Sequence, residues 1–106
     1  MTARRAAFRM KLRPGAETEY ERRHREIWPE ILDLLRSRGI SEYAIFLDRE
    51  SGTLFAFQKQ SAAGGSQDLG REPVIQRWWA YMADLMETHP DNSPVSIPLE
   101  EVFFME

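Results

Sequence analysis

The sequence predicts an α+β fold in which one antiparallel sheet carries two helices on a single face. The first observation is that the period of the apolar residues changes along the chain between two and 3.6, in the order β-α-β-β-α-β. The second is the length of 106 residues, which suits one domain spanning 1–106 without a repeat or a linker. This element order is that of the ferredoxin-like arrangement.

The first half of the chain is predicted to form a strand and a long helix. Apolar and charged residues alternate over 7–12, which predicts a half-buried strand ended by a Pro-Gly turn. From 16 to 38 the inward residues recur at three- and four-residue steps, typical of an amphipathic helix. Pro29 removes one backbone hydrogen bond, so we expect a kink or a split near Glu26. The inward residues are Tyr20, His24, Ile27, Trp28, Ile31, Leu34 and Leu35.

The middle of the chain is predicted to form a hairpin. Alternating patterns predict strands over 40–48 and 54–59, joined by a turn that contains Gly52. Gly39 is a good terminator for the preceding helix. The segment 61–70 is rich in Gly, Ser and Gln, which predicts a flexible loop.

The last third is predicted to form a helix and a final strand. Pro73 suits the first turn of a helix that runs to about Thr88. Three prolines make 89–98 irregular, and a final strand is predicted over 99–105. The predicted inner stripe of the helix is Val74, Trp78, Tyr81, Met82 and Leu85.

Composition excludes several classes of protein. A net charge of −3 gives no indication of nucleic-acid binding or of a polybasic membrane contact. The chain has no cysteine, so disulfides and thiolate metal sites are excluded. His24 and His89 are isolated in sequence, and no phosphate-binding or nucleophile motif is present, so we expect neither metal nor cofactor. No apolar stretch is long enough to cross a membrane and no leader pattern is evident, so we expect a cytoplasmic protein.

The outer face of the predicted sheet is itself partly apolar. Phe46 lies on the side of its strand opposite to Tyr43, and Phe55 and Phe57 share one side of the next strand. Apolar sheet faces of this kind often pair with another copy. We therefore predict a homodimer whose sheets face one another.

His24 is the candidate for acid–base chemistry. It lies four residues after Tyr20 and four before Trp28, so these side chains share the helix face that meets the sheet. A buried imidazole costs free energy unless a partner satisfies it, and its ordinary pKa of about 6.5 lets it exchange protons near neutral pH. The pattern leaves two interpretations open: a proton-transfer residue, or a core histidine hydrogen-bonded to a carbonyl or to Tyr43.

The other candidates for ligand contact are aromatic. Trp78 and Trp79 differ by about 100° in direction on a helix. They either offer a platform to the apolar face of a sugar ring or serve only as packing anchors. Tyr20, Tyr43 and Tyr81 can each bond a ligand hydroxyl or a buried polar group.

Three polar features have simpler interpretations. Arg23 projects about 100° from His24, which favours a rim contact or a surface salt bridge. Asp48 ends a strand beside a turn, where Asp usually serves turn geometry. The segment 91–94 either folds over the cavity or connects two elements, and connection is the simpler role.

Four segments of the chain, in this order, carry a resemblance. They are Tyr20-Glu21-Arg22-Arg23-His24-Arg25-Glu26-Ile27-Trp28-Pro29-Glu30, Tyr43-Ala44-Ile45-Phe46-Leu47-Asp48, Gln76-Arg77-Trp78-Trp79-Ala80-Tyr81-Met82 and Pro90-Asp91-Asn92-Ser93-Pro94-Val95-Ser96. Together they resemble the L-rhamnose mutarotase family nearly from end to end. The departure is at 61–70, where relatives tend to have a more helix-favouring stretch.

The resemblance implies a dimeric α+β barrel enzyme, an isomerase that interconverts the α and β anomers of L-rhamnose. It implies that His24 is the proton donor. It also implies that Tyr20, Tyr43, Trp78 and Trp79 bind the sugar. The reaction itself needs neither a metal nor a redox step, because it only opens and recloses a hemiacetal ring.

The second acid–base group stays open at this point, with Asp48 and a bound water as alternatives. Two other functions also stay open. One is a non-catalytic sugar-binding protein, and the other is a different enzyme on the same dimeric barrel, such as a small monooxygenase.

Overall fold

The computed structural model describes residues 3–106, which form one four-stranded sheet covered by helices. Every strand pairing is antiparallel, and the strand order is β2-β3-β1-β4. The predicted α+β fold with an antiparallel sheet is confirmed. The strands are β1 (Arg4–Lys11), β2 (Ile40–Asp48), β3 (Thr53–Gln60) and β4 (Ile97–Leu99); the helices are α1 (Glu17–Arg25), α2 (Pro29–Ser37) and α3 (Pro73–Met82). Short 3-10 turns occupy Ser66–Asp68 and Ala83–Leu85.

One face of the sheet is buried and the other is open. Buried and more exposed positions alternate along β1 and β3, as expected for strands with one face in the core. Leu12 and Leu54 have almost no exposed surface, and burying each contributes about 1.5–3 kcal/mol. The core residues that the sheet shares with the helices include Phe8, Met10, Ala56, Ile31, Leu35, Ile75 and Met82.

The helix after β1 is split at Pro29, as predicted. Pro29 is the first residue of α2, and Trp28 before it has extended backbone angles of φ −65° and ψ 131°. A residue before proline avoids the helical region, so α1 has to end and α2 has to start afresh. The Trp28 ring then packs edge-on against Trp78, with ring centroids 5.1 Å apart. No helix formed within residues 3–106 has the length and apolarity needed to cross a membrane.

α3 ends at Met82, earlier than the predicted end near Thr88. The reason is tertiary: the carbonyl of Leu85 accepts the backbone N–H of Arg13 at 2.9 Å, in place of a helical donor. A hydrogen bond to the segment that follows β1 therefore replaces continuation of the helix.

The prediction of a final strand over 99–105 is wrong. β4 covers only Ile97–Leu99 and pairs with Ala7–Arg9 of β1. Pro98 is tolerated inside it because β4 lies at the sheet edge, where one side of the strand needs no donors. Beyond Leu99 the apolar side chains have no neighbouring strand within residues 3–106, and Val102 is 86% exposed.

Candidate active site

A cavity of about 660 Å³ lies beside the inner face of β2, with walls from α1, α2 and α3. Its lining is mainly apolar and aromatic, which is typical of a small-molecule site, and it also includes the charged residues Glu17, Glu21, Arg25 and Arg49. The side chains predicted to act on or bind a ligand all line it: Tyr20, His24, Tyr43, Trp78 and Trp79. Three separate elements thus bring the predicted site residues together.

The imidazole of His24 is half-buried on the cavity wall. Its Nδ1 lies 3.2 Å from the carbonyl oxygen of Tyr20, one helical turn earlier. A carbonyl only accepts, so this hydrogen bond places the proton of the neutral ring on Nδ1 and leaves the lone pair on Nε2. Burial lowers the pKa of His24 and outweighs the opposing effect of the Tyr20 carbonyl. The imidazole is therefore mainly neutral at neutral pH.

Aromatic rings surround this imidazole. The ring centroid of Tyr20 lies 4.3 Å away, and that of Trp78 lies 5.5 Å away in an edge arrangement. The carbonyl bond is the one that the core-histidine interpretation predicts, and because the ring also lines a cavity, proton transfer stays a prediction. The ring makes no hydrogen bond to Tyr43.

The two cavity tyrosines stay protonated. Burial raises the pKa of Tyr20, and the nearby Tyr43 raises it further. Burial also raises the pKa of Tyr43, although a hydrogen bond from Ser66 opposes the rise. Both hydroxyls can therefore donate as well as accept.

Both neighbouring tryptophans of α3 are buried, with Trp78 and Trp79 each 8% exposed. The predicted inner stripe was correct for Trp78, Met82 and Leu85, and Val74 packs partly buried against the core, but the prediction was wrong for Tyr81, which is 39% exposed. The buried stripe is instead Ile75, Trp78, Trp79 and Met82. The stripe is shifted because the Trp79 ring packs closely against the loop that precedes α3. A Cβ added at Gly70 in that loop would lie 3.0 Å from the Trp79 ring.

Comparisons with known proteins agree on one family. The family model described as L-rhamnose mutarotase matches residues 5–105. An L-rhamnose mutarotase of Bacteroides thetaiotaomicron is 59% identical over 103 residues, covering 97% of this chain and 99% of the relative. One of Brucella anthropi is 55% identical and covers 99% of both chains. The chain belongs to the L-rhamnose mutarotase family.

A solved structure carries the same family name and the same fold. The crystal structure of an L-rhamnose mutarotase from Formosa agariphila superimposes with a TM-score of 0.88 and 51% sequence identity. It covers 97% of this chain and 99% of that one. The resemblance inferred from four sequence segments is confirmed.

In this member of the mutarotase family, Arg23 fastens α1 to the end of α3. Its guanidinium donates to Glu19 at 2.8 Å and to Asp84 at 2.9 Å, and it stacks over the Tyr81 ring at 4.4 Å. Hydrogen bonds from Arg22 and Arg23 hold the pKa of Glu19 at about 2. Arg23 does not line the cavity, and its ion pair with Asp84 confirms the salt-bridge alternative of the prediction.

Two polar candidates lie outside the lining of the mutarotase-family cavity. Asp48 accepts hydrogen bonds from the Glu50 backbone at 3.2 Å and from Ser51 at 2.8 Å, so its carboxylate serves the hairpin turn. Asp91 accepts the backbone N–H of Ser93 at 3.0 Å and closes a turn of its own. Across residues 3–106, no three His, Cys, Asp or Glu side chains form a group that could hold a metal ion.

Ser66 and Gln67 also line the cavity, although the sequence did not predict them as site residues. The segment 61–70 was predicted as a flexible loop, yet its 3-10 turn buries Ser66 against β3. The available signal was Gln58, which occupies an inward position of β3 and as a buried amide needs partners. Gln67 Oε1 is itself buried, with no hydrogen-bond partner in the described part of the chain.

Proposed function

We propose that this protein interconverts the α and β anomers of L-rhamnose, the activity stated in the names of its relatives. His24 is the catalytic residue, and Tyr20, Tyr43, Trp78 and Trp79 contact the sugar. One observation carries the proposal: the His24 imidazole lies in an aromatic cavity with Nδ1 bonded to a backbone carbonyl, which leaves Nε2 for a ligand.

The proposed chemistry moves protons between two oxygens on one carbon. Nε2 of His24 takes the proton of the anomeric hydroxyl, and the bond from the anomeric carbon to the ring oxygen breaks. The imidazolium formed in this way donates a proton to the ring oxygen, which gives the open aldehyde. Rotation of the aldehyde and reversal of these steps produce the other anomer.

One nitrogen can serve both oxygens because they share the anomeric carbon. A separate acid or base is then not required of Asp48, whose carboxylate is engaged in the hairpin turn. In this proposal His24 is the proton donor to the ring oxygen, after it has first accepted a proton. General acid–base catalysis of this kind contributes about 10²–10⁴-fold.

The aromatic residues hold and orient the ring. The two tryptophans offer apolar surface to the C–H faces of the sugar, while Tyr20 and Tyr43 bond hydroxyls. The mostly apolar lining also strengthens each polar contact inside the cavity by keeping the local dielectric low.

The experiment that tests this function measures exchange between α- and β-L-rhamnose by NMR saturation transfer, with and without the protein. We expect the exchange rate to rise in proportion to protein concentration. Saturation-difference signals from bound sugar without faster exchange would instead identify a non-catalytic sugar-binding protein.

The pH dependence of the rate follows from the neutral state of His24. Burial places its pKa below 6.5, so the neutral imidazole that starts the reaction dominates at neutral pH. We expect kcat/KM to stay level near neutral pH and to fall as the pH drops through the lowered pKa. The measurement is anomer exchange between about pH 5 and pH 8, corrected for the spontaneous reaction. A rate that climbs as the pH falls would contradict a base-first role.

We also propose a homodimer formed through the outer face of the sheet. Phe46 and Phe57 are exposed there by 62% and 44%, and their rings contact each other at 5.7 Å. Exposed aromatic patches of this kind mark association surfaces. Pairing of two such faces would complete the dimeric α+β barrel.

Introducing a charge on that face tests the dimer. Phe46→Glu is expected to convert a dimer into a monomer in sedimentation velocity, because it buries an unpaired carboxylate in the interface. Ala80→Glu introduces the same negative charge at an exposed position of α3 and should leave the dimer intact. A Phe46→Glu protein with the sedimentation coefficient of the wild type would contradict the proposed interface.

A cytoplasmic location is proposed as well. The chain has no cysteine and so gains nothing from an oxidising compartment. Its net charge of −3 supports no nucleic-acid partner, and a small sugar remains the proposed ligand.

A further inference from the structure

A chain of hydrogen bonds leads from the core face of β3 to the cavity wall at Tyr43. It starts at Gln58, which is 3% exposed. Gln58 Oε1 accepts the backbone N–H of Ser66 at 3.0 Å and the side-chain amide of Gln60 at 2.9 Å. A backbone N–H only donates, so it fixes which end of the Gln58 amide is the oxygen.

The fixed amide determines what the Ser66 hydroxyl can do. Gln58 Nε2 donates to Ser66 Oγ at 2.9 Å, and Gln67 Nε2 donates to the same oxygen at 3.3 Å. These two bonds use both acceptor positions of a hydroxyl. The single hydrogen of Ser66 is left to donate, and it is directed at the hydroxyl oxygen of Tyr43, 3.3 Å away.

We infer that Ser66 and Gln58 are positioning residues that hold Tyr43 as a hydrogen-bond donor toward a sugar oxygen in the cavity. The inference rests on the proposed function and deepens it. Because the Tyr43 oxygen accepts from Ser66, its own hydrogen is not used in that bond. The hydrogen is free for an oxygen of the sugar that acts as an acceptor.

The direction of the Ser66–Tyr43 hydrogen bond thus sets the Tyr43 hydroxyl as a donor toward the cavity. Without Ser66, the Tyr43 hydroxyl can rotate and accept from the sugar as readily as it donates. A buried hydroxyl set as a donor favours ligands that present an acceptor at that position and disfavours those that do not. The 3-10 turn at Ser66–Asp68 thus contributes to specificity through Tyr43.

A double-mutant cycle separates this role from a merely structural one. Ser66→Ala is expected to lower kcat/KM for anomer exchange by about two- to tenfold, the usual effect of one hydrogen bond. In a Tyr43→Phe background the same substitution should cost nothing further, because the hydroxyl through which Ser66 acts is gone. Equal losses in both backgrounds, or no loss in the wild-type background, would overturn the inference.

Gln58→Met provides a second route to the same conclusion. It keeps the Ser66 hydroxyl but removes the amide that orients it, so its effect should also vanish in the Tyr43→Phe background. Ser61→Ala is the matched control, since Ser61 bonds the Gly39 carbonyl at 3.1 Å and does not line the cavity. It should leave kcat/KM unchanged.

A measurement without sugar keeps the inference testable even if the proposed function fails. The pKa of Tyr43 can be followed by NMR of ¹³C-labelled tyrosine. The bond donated by Ser66 lowers this pKa, so Ser66→Ala should raise it. An unchanged Tyr43 titration would show that Ser66 does not donate to Tyr43, whatever the enzyme's activity.

Discussion

His24→Ala is expected to lower the rate of L-rhamnose anomer exchange by about 10²–10⁴-fold, which is the usual contribution of one acid–base group. The loss should appear mainly in kcat, because the side chain that moves the proton is removed while the aromatic walls of the cavity remain. The measurement is NMR exchange at saturating sugar. Sugar binding, followed by saturation-difference NMR, should weaken far less.

The natural control for this substitution is His89, the only other histidine of the chain. His89 is exposed and does not line the cavity, so His89→Ala should exchange anomers at the wild-type rate. His24→Gln adds a test of shape, since it retains polarity and approximate volume but cannot hold a proton. A His24→Ala protein that exchanges anomers at the wild-type rate would exclude the proposed mechanism.

Trp78→Ala is expected to lower the free energy of unfolding by about 3–5 kcal/mol, as large-to-small core substitutions do. Trp78 is 8% exposed, and its ring meets the edges or faces of three other aromatic rings. Its neighbours are His24 at 5.5 Å, Trp28 at 5.1 Å and Tyr81 at 5.8 Å between ring centroids. Removing the indole therefore leaves a cavity where α3 packs against α1 and against Trp28, the residue before α2. Urea unfolding measures the change.

Tyr81→Ala is the comparison within the same helix. Tyr81 is 39% exposed, so its loss should cost only its ring contacts with Trp28, Trp78 and Arg23, about 0.5–1.5 kcal/mol. Trp78→Phe should recover much of the loss, because an aromatic ring still fills most of the space. If Trp78→Ala is no less stable than Tyr81→Ala, Trp78 is not the anchor that joins the helices beside the cavity.

Local patterns were sufficient for the elements that depend on their own residues. β2 was predicted with the observed bounds, because its side chains alternate clearly and Gly39, at a φ of +78°, ends the helix before it. The break between α1 and α2 was predicted from Pro29 alone, since proline acts on the backbone whatever the surroundings.

Elements that depend on distant partners were predicted less well. Nothing near the end of α3 indicates that Arg13 will take the carbonyl of Leu85 and stop the helix. The alternating residues after Leu99 resemble a strand, but a strand exists only where a neighbouring edge pairs with it. The exposed apolar side chains there are left without such a partner in the described chain.

The candidate site was predicted mainly through its helices. The step of four between Tyr20 and His24 placed both on one face. Tyr43 and the paired tryptophans were candidates as aromatic residues, and the resemblance implied that they bind the sugar. Ser66 could not be found in this way, because a Gly- and Ser-rich segment has no period that shows which side chain turns inward. Its burial is determined across the fold, by the amide of Gln58.

The most direct test of the proposed chemistry follows the ring nitrogens of His24 by ¹⁵N NMR, with and without L-rhamnose. A His89→Gln background leaves His24 as the only histidine signal. We expect a neutral ring near neutral pH with its proton on Nδ1, as the bond to the Tyr20 carbonyl requires, and an Nε2 resonance that moves when sugar is added. A proton on Nε2, or an Nε2 resonance unchanged at saturating L-rhamnose, would contradict His24 as the group that exchanges protons with the sugar.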